Sequence, residues 1–563
     1  MTIHINLWKL IKGFCQRQGF NLTILLLLSL FAMRTFWGPN YFDGHDAQAH
    51  LVRLYQYDLA LKDGQILPQW AGGLLAGRGY PVFIFVYPLP YFVAESFHLA
   101  GFNLAVSLKL TFVLAYLIST IGMYFFGLTY WQSTKAGFLT ALLWSWAPPI
   151  FEKIFIGGAL GEIVAFAFIP FVFLALYKLI QQPNIRNAFK FSFVLSAWVL
   201  SHLLNPIVFS PLLILFFLSQ LSRAKNKILI LKLLLLSVIL TIGLTAWFIV
   251  PAAVEIKFTR FQEFVVNQYS SQFVSLKRLF YSKWGTDAPG WGNNPVSQQV
   301  GVAQWLAVGL ALILARRQVL PFLLSFVISI FLMLFVSKPI WDLPTPLQNV
   351  STPWRFLSLA VFSSAMAAGY VVKKIEKNKL LRFTVYGLLI ALALYGNRNH
   401  LRINDIRNYD LNFLQNYPGV ATGWNEHLPI WVKETPHEFS AVKLEILTGD
   451  CQIQTQTMKS NLQQFSVNCQ QESFLQLNTA YYPGWQVSLN RKITKIEPGE
   501  NGMISFSVPA GDNQLTAKFS DTPLRLISKI ISIITLFMII LYYFSHCGNH
   551  VKKVFFTHVR VKG

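Results

Sequence analysis

The chain has 563 residues, of which 54% are hydrophobic and 13% charged, with 49 Phe and 16 Trp. Soluble domains carry about a quarter charged residues, so the composition excludes a soluble globular protein and describes a polytopic membrane protein. The formal net charge of +23 sits mostly in short loops between apolar runs, which is the positive-inside pattern facing anionic lipid, and it forms no basic, aromatic surface for nucleic acid.

Lys9, Lys12 and Arg17 precede the first apolar run, 21–37, which ends in Arg34, Phe36 and Trp37 without a small-residue cleavage site. It reads as a retained signal anchor with a cytoplasmic N-terminus. Directly after it, residues 41–53 (YFDGHDAQAHLVR) crowd together Asp43, His45, Asp46, His50 and Arg53. On a helix Asp46, His50 and Arg53 fall at i, i+4 and i+7, so one face carries a carboxylate, an imidazole and a guanidinium. A solvated amphipathic helix capped by Asp43 would show the same pattern. The position at the mouth of a membrane helix favours a site.

Residues 81–100 are apolar but contain Pro81, Pro88, Pro90 and Glu95. Counted as a span, they would put Lys178, Arg186 and Lys190 outside. Laid along the outer surface, they leave every later basic loop inside, so the first external loop is expected over 38–101. Further spans are expected at 103–130, 136–150, 159–176, 189–204, 206–221, 228–250, 300–315, 320–336, 356–372, 381–395 and 524–544, about a dozen helices in all. A second external loop covers 255–299.

The domain plan is a helical bundle over 1–396, an external region over 397–523, a last membrane helix at 524–545 and a cytoplasmic tail at 546–563. Within the external region, from about 437, apolar and polar residues alternate in short runs with turns at Pro483-Gly484, Pro498-Gly499 and Ala510-Gly511. That pattern predicts a small β-sandwich. Cys451 and Cys469 lie in it, while Cys15 and Cys547 lie on the cytoplasmic side. A Cys451–Cys469 disulfide suits an oxidising compartment, with two buried free thiols as the alternative. No CxxC or His/Cys cluster suggests zinc.

Ionisable groups at membrane depth are costly and mark functional candidates. Glu162, within IGGALGEIVAFAFIP (156–170), lies at the outer end of a span just after the Pro148-Pro149 break. Unpaired, it would face a polar cavity; paired with Lys153, it would be structural. His202 and Asn205 precede Pro206 at another outer turn, where a lone histidine is more often structural than catalytic. Arg355, in TPWRFLSLA, and Arg34 can snorkel or can hold a lipid phosphate.

The order of Asp43 and Asp46, Lys62-Asp63-Gly64-Gln65, Pro68, Tyr87-Pro88-Leu89-Pro90-Tyr91 and Gly101-Phe102-Asn103 resembles the first external loop of C-type (GT-C) membrane glycosyltransferases. Protein O-mannosyltransferases and the lipid A aminoarabinose transferase are examples. The resemblance implies an essential acid early in that loop and an interfacial helix after the proline turn. Gly158-Ala159-Leu160-Gly161-Glu162 looks like the second acidic site of those families, with glycine where an arginine commonly begins the motif. The chain is also similar to bacterial membrane proteins catalogued as 6-pyruvoyl-tetrahydropterin synthase-related. The shared segments are Asp46–Arg53, Gly79-Tyr80-Pro81, Pro353-Trp354-Arg355-Phe356, Trp424-Asn425-Glu426-His427-Leu428-Pro429 and Tyr482-Pro483-Gly484-Trp485. The catalogue name carries no activity here, because a soluble pterin synthase uses a zinc-bound histidine cluster in a compact α/β fold and this sequence offers neither.

These resemblances imply a mainly α, GT-C-like bundle with a C-terminal external β-sandwich, in a bacterial inner membrane. The implied activity is transfer of a sugar from a polyprenyl-phosphate-linked donor to an envelope glycan, lipid or protein acceptor. Asp46 is the expected base, with Asp43 second. Arg355, Arg53 or His202 would hold the leaving phosphate, with His45 and His50 nearby. Glu162 would orient the acceptor or help ligate a divalent cation, Mg or Mn, if one is used. A non-enzymatic flippase or export component, or an envelope scaffold, is the rival reading.

Overall fold

The computed structural model describes residues 19–265, 268–287, 292–423 and 425–559. Lys9, Lys12, Cys15, Arg17, Trp424, Arg560 and Lys562, which the sequence reading used, lie outside them. The described chain is mostly helical, with β-sheets near its C-terminal end.

The helices are α1 (Gly19–Ala32), α2 (Ala47–Lys62), α3 (Val82–Phe85), α4 (Leu89–Leu99), α5 (Leu104–Trp131), α6 (Thr134–Ser145), α7 (Pro148–Glu152), α8 (Leu160–Gln181), α9 (Ile185–Ser201), α10 (Asn205–Leu221) and α11 (Lys227–Glu255). After them come α12 (Phe261–Val265), α13 (Leu276–Phe280), α14 (Val302–Ile313), α15 (Leu320–Met333), α16 (Lys338–Trp341), α17 (Leu357–Lys374), α18 (Lys379–Gly396), α19 (Leu411–Gln415) and α20 (Pro523–Val559). Asn103, Ser133, Asn184 and Asn378 start α5, α6, α9 and α18 by accepting a hydrogen bond from a first-turn amide, as helix N-termini favour.

Six of these helices are long and apolar enough to cross a membrane: α5, α8, α11, α17, α18 and α20, or seven spans if α15 and the segment Phe335–Trp341, bent by 90°, count as one. Among the described residues this measure gives six or seven spans where the sequence reading expects about a dozen. The reason is length and polarity. The run at 136–150 is the 12-residue α6 stopped before Pro148-Pro149. The run at 189–204 is the 17-residue α9, with Lys190 inside it. Within the first run the described α-helix is Gly19–Ala32, followed by a 3-10 turn at Arg34–Phe36. Stretch 81–100 forms the two short helices α3 and α4 and crosses nothing.

Helix α17 sits at the centre of the bundle, with 94% of its apolar window buried, whereas the windows of α18 and α20 are 11% and 22% buried. The two peripheral helices thus present apolar surface outward, which is stable only against lipid. Contacts draw several basic connections together at one end of the bundle: Arg223, Arg316 and Lys374 line one cleft, Tyr130 bonds to Gln318, and Ser133 bonds to Glu376. Asp46, Glu162, His202 and Arg355 gather at the other.

Two sheets make the β domain. One has strand order β3–β6–β10–β9 (Leu444–Thr448, Ser473–Ala480, Met503–Val508, Glu497–Pro498). The other has order β4–β5–β11–β7–β8 (Cys451–Met458, Leu462–Cys469, Gly511–Phe519, Trp485–Leu489, Lys492–Thr494). All pairs are antiparallel, and alternate residues such as Phe465, Val467, Leu475, Leu477, Val487, Phe506 and Leu515 point into the shared core. Cys451 lies opposite Cys469 in register and the two form a disulfide. A short ribbon, β1 (Tyr41–Phe42) with β2 (Ile406–Arg407), joins the first external loop to the segment before the sandwich.

The sandwich is fastened to the bundle by a buried ion pair. Arg525, fully buried at the start of α20, donates from Nε and Nη2 to both carboxylate oxygens of Glu255 at the end of α11, at 2.8 and 2.6 Å. The Tyr482 hydroxyl donates to Glu255 at 3.2 Å, and Arg525 Nη2 donates to the Pro483 carbonyl at 2.8 Å. Trp70 from the first loop is fully buried against Tyr482, Trp485 and Phe519.

Removing one partner of a buried pair strands the other charge, so Arg525→Ala is expected to cost about 3–5 kcal/mol, while the neutral pair Glu255→Gln/Arg525→Met should cost much less. Thermal unfolding in detergent of the two variants against wild type measures this. Closing the 18-residue loop with the disulfide should contribute about 3 kcal/mol. Non-reducing mass spectrometry should find the Cys451–Cys469 peptide pair, and reduction should lower the unfolding temperature of the β domain.

Candidate functional site

The site is assembled by backbone before any side chain enters. After α7 the chain makes one wide π-helical turn, Lys153–Gly157, a geometry common at functional positions. Its carbonyls receive the amides that lead into α2: His45 N donates to Ile156 O and Asp46 N to Gly157 O, both at 2.9 Å. Gly158 adopts φ +61°, and a Cβ there would stand 2.9 Å from the Ala47 nitrogen; one at Gly161 would meet the Tyr87 ring at 2.2 Å. Only glycine fits at Gly158.

Asp46 sits at the N-cap of α2 but makes no capping bond. The helix therefore starts after Asp46 and not at Asp43, and it is not solvated, since His50, Arg53 and most of its other side chains are buried. Asp46 makes no side-chain hydrogen bond among the described residues and is solvent-accessible. Even so, surrounding protein raises its pKa by desolvation, opposed by the charges of Arg53, His45 and Arg355. Asp46 is thus an exposed carboxylate with enough protein packed around it to disfavour its charge.

Glu162 faces two cations in the same region. Lys153 Nζ lies 2.5 Å from one carboxylate oxygen, and Arg355 Nε lies 3.6 Å from the other. Lys153 also rests 5.0 Å over the Trp354 ring. The pairing of Glu162 with Lys153, held as the structural alternative, is thus present. The pairing leaves Arg355 incompletely answered, since its Nε and Nη1 are buried with no hydrogen-bond partner among the described residues. A divalent cation at Glu162 would meet two fixed positive charges, so these residues do not fit one. Among the described residues no group of three or more His, Cys, Asp or Glu is placed to hold a metal ion.

The other expected residues divide. Arg53 donates from Nε to the Ala421 carbonyl at 2.6 Å and from Nη1 to the Tyr91 hydroxyl at 3.2 Å. Tyr91 in turn shares a 2.7 Å hydrogen bond with His50 Nδ1. Burial, reinforced by Arg53, holds the His50 pKa well below the usual histidine range, so the ring is neutral. Its Nε2 is buried without a partner. His202 stacks obliquely on Tyr87, with ring centroids 5.2 Å apart. His45 is drawn outward, its Nε2 donating to the Thr286 carbonyl at 2.7 Å. Asp43 pairs with Arg407 at 3.3 Å on the edge of the β1–β2 ribbon. Arg34 lies apart, on the Phe31 ring and carbonyl.

Sequence reasoning missed Glu152, buried beside Lys153, whose pKa burial pushes up to about 7. Its signal was an acid next to the Pro148-Pro149 break. Tyr87 and Tyr91 were legible only as part of a proline-turn motif and not as site walls.

The sequence pattern of a family described as "6-pyruvoyl-tetrahydropterin synthase related domain; membrane protein" matches residues 83–400, more than half of the chain and nearly all of its bundle. The chain belongs to this family. A curated relative from Lactococcus lactis subsp. cremoris (strain MG1363), described as an uncharacterized protein, is 26% identical over 241 residues, 42% of this chain and 39% of its own length. Among solved structures the chain is similar to the arabinofuranosyltransferase AftD from Mycobacteria, at 14% identity and a TM-score of 0.46, over 68% of this chain and 27% of that one. A mutant of the same enzyme, R1389S, gives 12% identity and a TM-score of 0.41 over 66% and 27%. The chain thus spans well under half the length of these proteins.

Proposed function

We propose that the chain is a membrane glycosyltransferase of the GT-C type, moving a sugar from a polyprenyl-phosphate-linked donor to an envelope acceptor on the outer face. The observation that supports this reading is the exposed Asp46 carboxylate, without a side-chain hydrogen bond, close enough to feel the charge of Arg355, two of whose nitrogens lack a hydrogen-bond partner. Transfer needs both at once. The acceptor oxygen attacks the anomeric carbon as its proton passes to Asp46, and the bond from that carbon to the phosphate oxygen breaks. The departing polyprenyl phosphate then takes up negative charge against Arg355 and Lys153.

Glu162 keeps those two cations apart and oriented, and Arg53, bonded to Tyr91 and Ala421, contributes charge from a fixed position. An apolar donor enters sideways from lipid, which suits a chamber at the ends of apolar helices. The basic loops support an orientation with their end of the bundle in the cytoplasm and the Asp46 end and the sandwich outside.

Asp46→Asn should lower transfer by about two to four orders of magnitude, the usual contribution of a general base. The assay uses purified protein in lipid with a polyprenyl-phosphate-sugar pool. A carboxyl whose pKa rises on folding makes the folded state bind more protons, so stability falls as pH climbs from the ordinary aspartate range to the raised pKa. Asp46→Asn should therefore unfold no earlier than wild type at neutral pH. Full activity in Asp46→Asn would favour the carrier reading. The same raised pKa predicts an acid limb in the wild-type pH–rate profile above the ordinary aspartate value of about 3.9.

For sidedness, a cysteine at exposed Lys492 should react with a membrane-impermeant maleimide in intact cells. Labelling only after permeabilisation would reverse the orientation.

A further inference from the structure

The end of the bundle opposite Asp46 carries a second charged concavity. Helices α5, α10, α14 and α17 finish there, and the side chains at their ends lock the connections together. The Tyr130 hydroxyl donates to the Gln318 carbonyl at 3.2 Å and accepts from Gln220 Nε2 at 3.1 Å. The Tyr370 hydroxyl donates to the Leu314 carbonyl at 2.6 Å. Between them lies an open cleft of about 520 Å³ lined by Arg223, Arg316, Arg317, Gln318 and Lys374.

Four of these five side chains are cationic, they come from two inter-helix connections and the last turn of α17, and no carboxylate lines the cleft. Among the described residues the side chains of Arg223, Arg316 and Arg317 make no hydrogen bond or ion pair, and Lys374 rests 5.6 Å over the Tyr370 ring. The acid nearest Lys374 in sequence, Glu376, is taken by Lys373 at 3.0 Å and by the Ser133 hydroxyl at 3.1 Å.

Orientation in a membrane requires only that each loop on one side be basic. It does not require two loops and a helix end to turn their cations into one concavity, where the charges repel one another and no carboxylate answers them. Such a cluster fits an anion with several oxygens, which guanidinium groups hold through paired N–H donors. Leu218, Leu312, Ile313 and Leu320, close to these cations in sequence, are exposed. The cleft thus lies where apolar surface gives way to charge, at the depth of lipid head groups.

We infer that this cleft is a binding site for a phosphate group, presented by the head group of an anionic lipid or by a soluble phosphate compound. It stands independently of the activity proposed above. The full chain would be released from micelles containing equal phosphatidylglycerol and phosphatidylcholine and weighed by native mass spectrometry. In parallel, inorganic pyrophosphate would be titrated onto protein in phosphatidylcholine nanodiscs. Wild type is expected to retain phosphatidylglycerol over phosphatidylcholine, and R223Q/R316Q/R317Q should lose that retention by roughly tenfold or more, given the worth of each basic residue near an anionic surface.

The charge-conserving R223K/R316K/R317K should keep most of the retention, and Lys492→Gln, on the β domain, should leave it unchanged. Pyrophosphate binding without lipid retention, lost in the glutamine variant and kept in the lysine variant, would assign the site to a soluble phosphate compound. Should the triple glutamine variant fail to run as a single species, R317Q/K374M is read in its place. Equal retention of both lipids with no pyrophosphate binding would overturn the inference, as would retention unaltered by the glutamine substitutions.

Discussion

The site depends on one backbone clasp. The amides of His45 and Asp46 are bound by the carbonyls of Ile156 and Gly157, so two segments more than a hundred residues apart are held at hydrogen-bond distance before their side chains are considered. The clasp requires close approach, and glycines supply it: Gly44 abuts the Ile156 carbonyl, Gly158 abuts Ala47, and Gly161 lies under Tyr87. A side chain at Gly44 or Gly158 would push the start of α2 away from the Lys153–Gly157 turn, and one at Gly161 would displace the Tyr87 ring. The first two would part Asp46 from the segment that leads to Glu162. The arrangement thus depends on the absence of three β-carbons.

Given the clasp, charge balance sorts the side chains into those already committed and those left open. Glu162 balances Lys153 and part of Arg355, and Asp43 balances Arg407. Arg53 is spent on a carbonyl and a phenol. The groups left unmatched are the Asp46 carboxylate and two N–H donors of Arg355. A site that was purely structural would pair these with each other, since both are costly to leave unanswered. Their separation leaves a gap with a proton acceptor on one side and an anion receptor on the other.

Much of this was legible because it is local. The charged cluster at 41–53, the proline-rich interfacial stretch, the Cys451–Cys469 pair and the alternating strands of the β domain all show themselves in short windows of sequence. The span count was not legible in the same way. An apolar run of 12 to 17 residues, such as α6 or α9, has the composition of a membrane helix without its length, and only the structure shows where each run ends. Long-range partners were invisible altogether. Arg53 meets Ala421 across 368 positions and Arg525 meets Glu255 across 270, and neither residue announces its partner by spacing or periodicity. Glu162 shows the middle case: its partner Lys153 lies nine positions away, near enough to be weighed from sequence, whereas the contribution of Arg355 was not.

The position of Asp46 at a helix N-cap adds a last physical step. Free amides and the helix dipole at that end favour an anion, while the enclosing protein disfavours one, and the net result is a raised pKa. In the proposed reaction that balance would shift with occupancy. A lipid-linked sugar beside Asp46 would displace solvent and lower the local dielectric, and the unpaired carboxylate would become a stronger base. A phosphate on Arg355 would at the same time leave that cation less able to stabilise the Asp46 charge. Under the proposal, the reactivity of Asp46 would thus follow donor occupancy without any moving part.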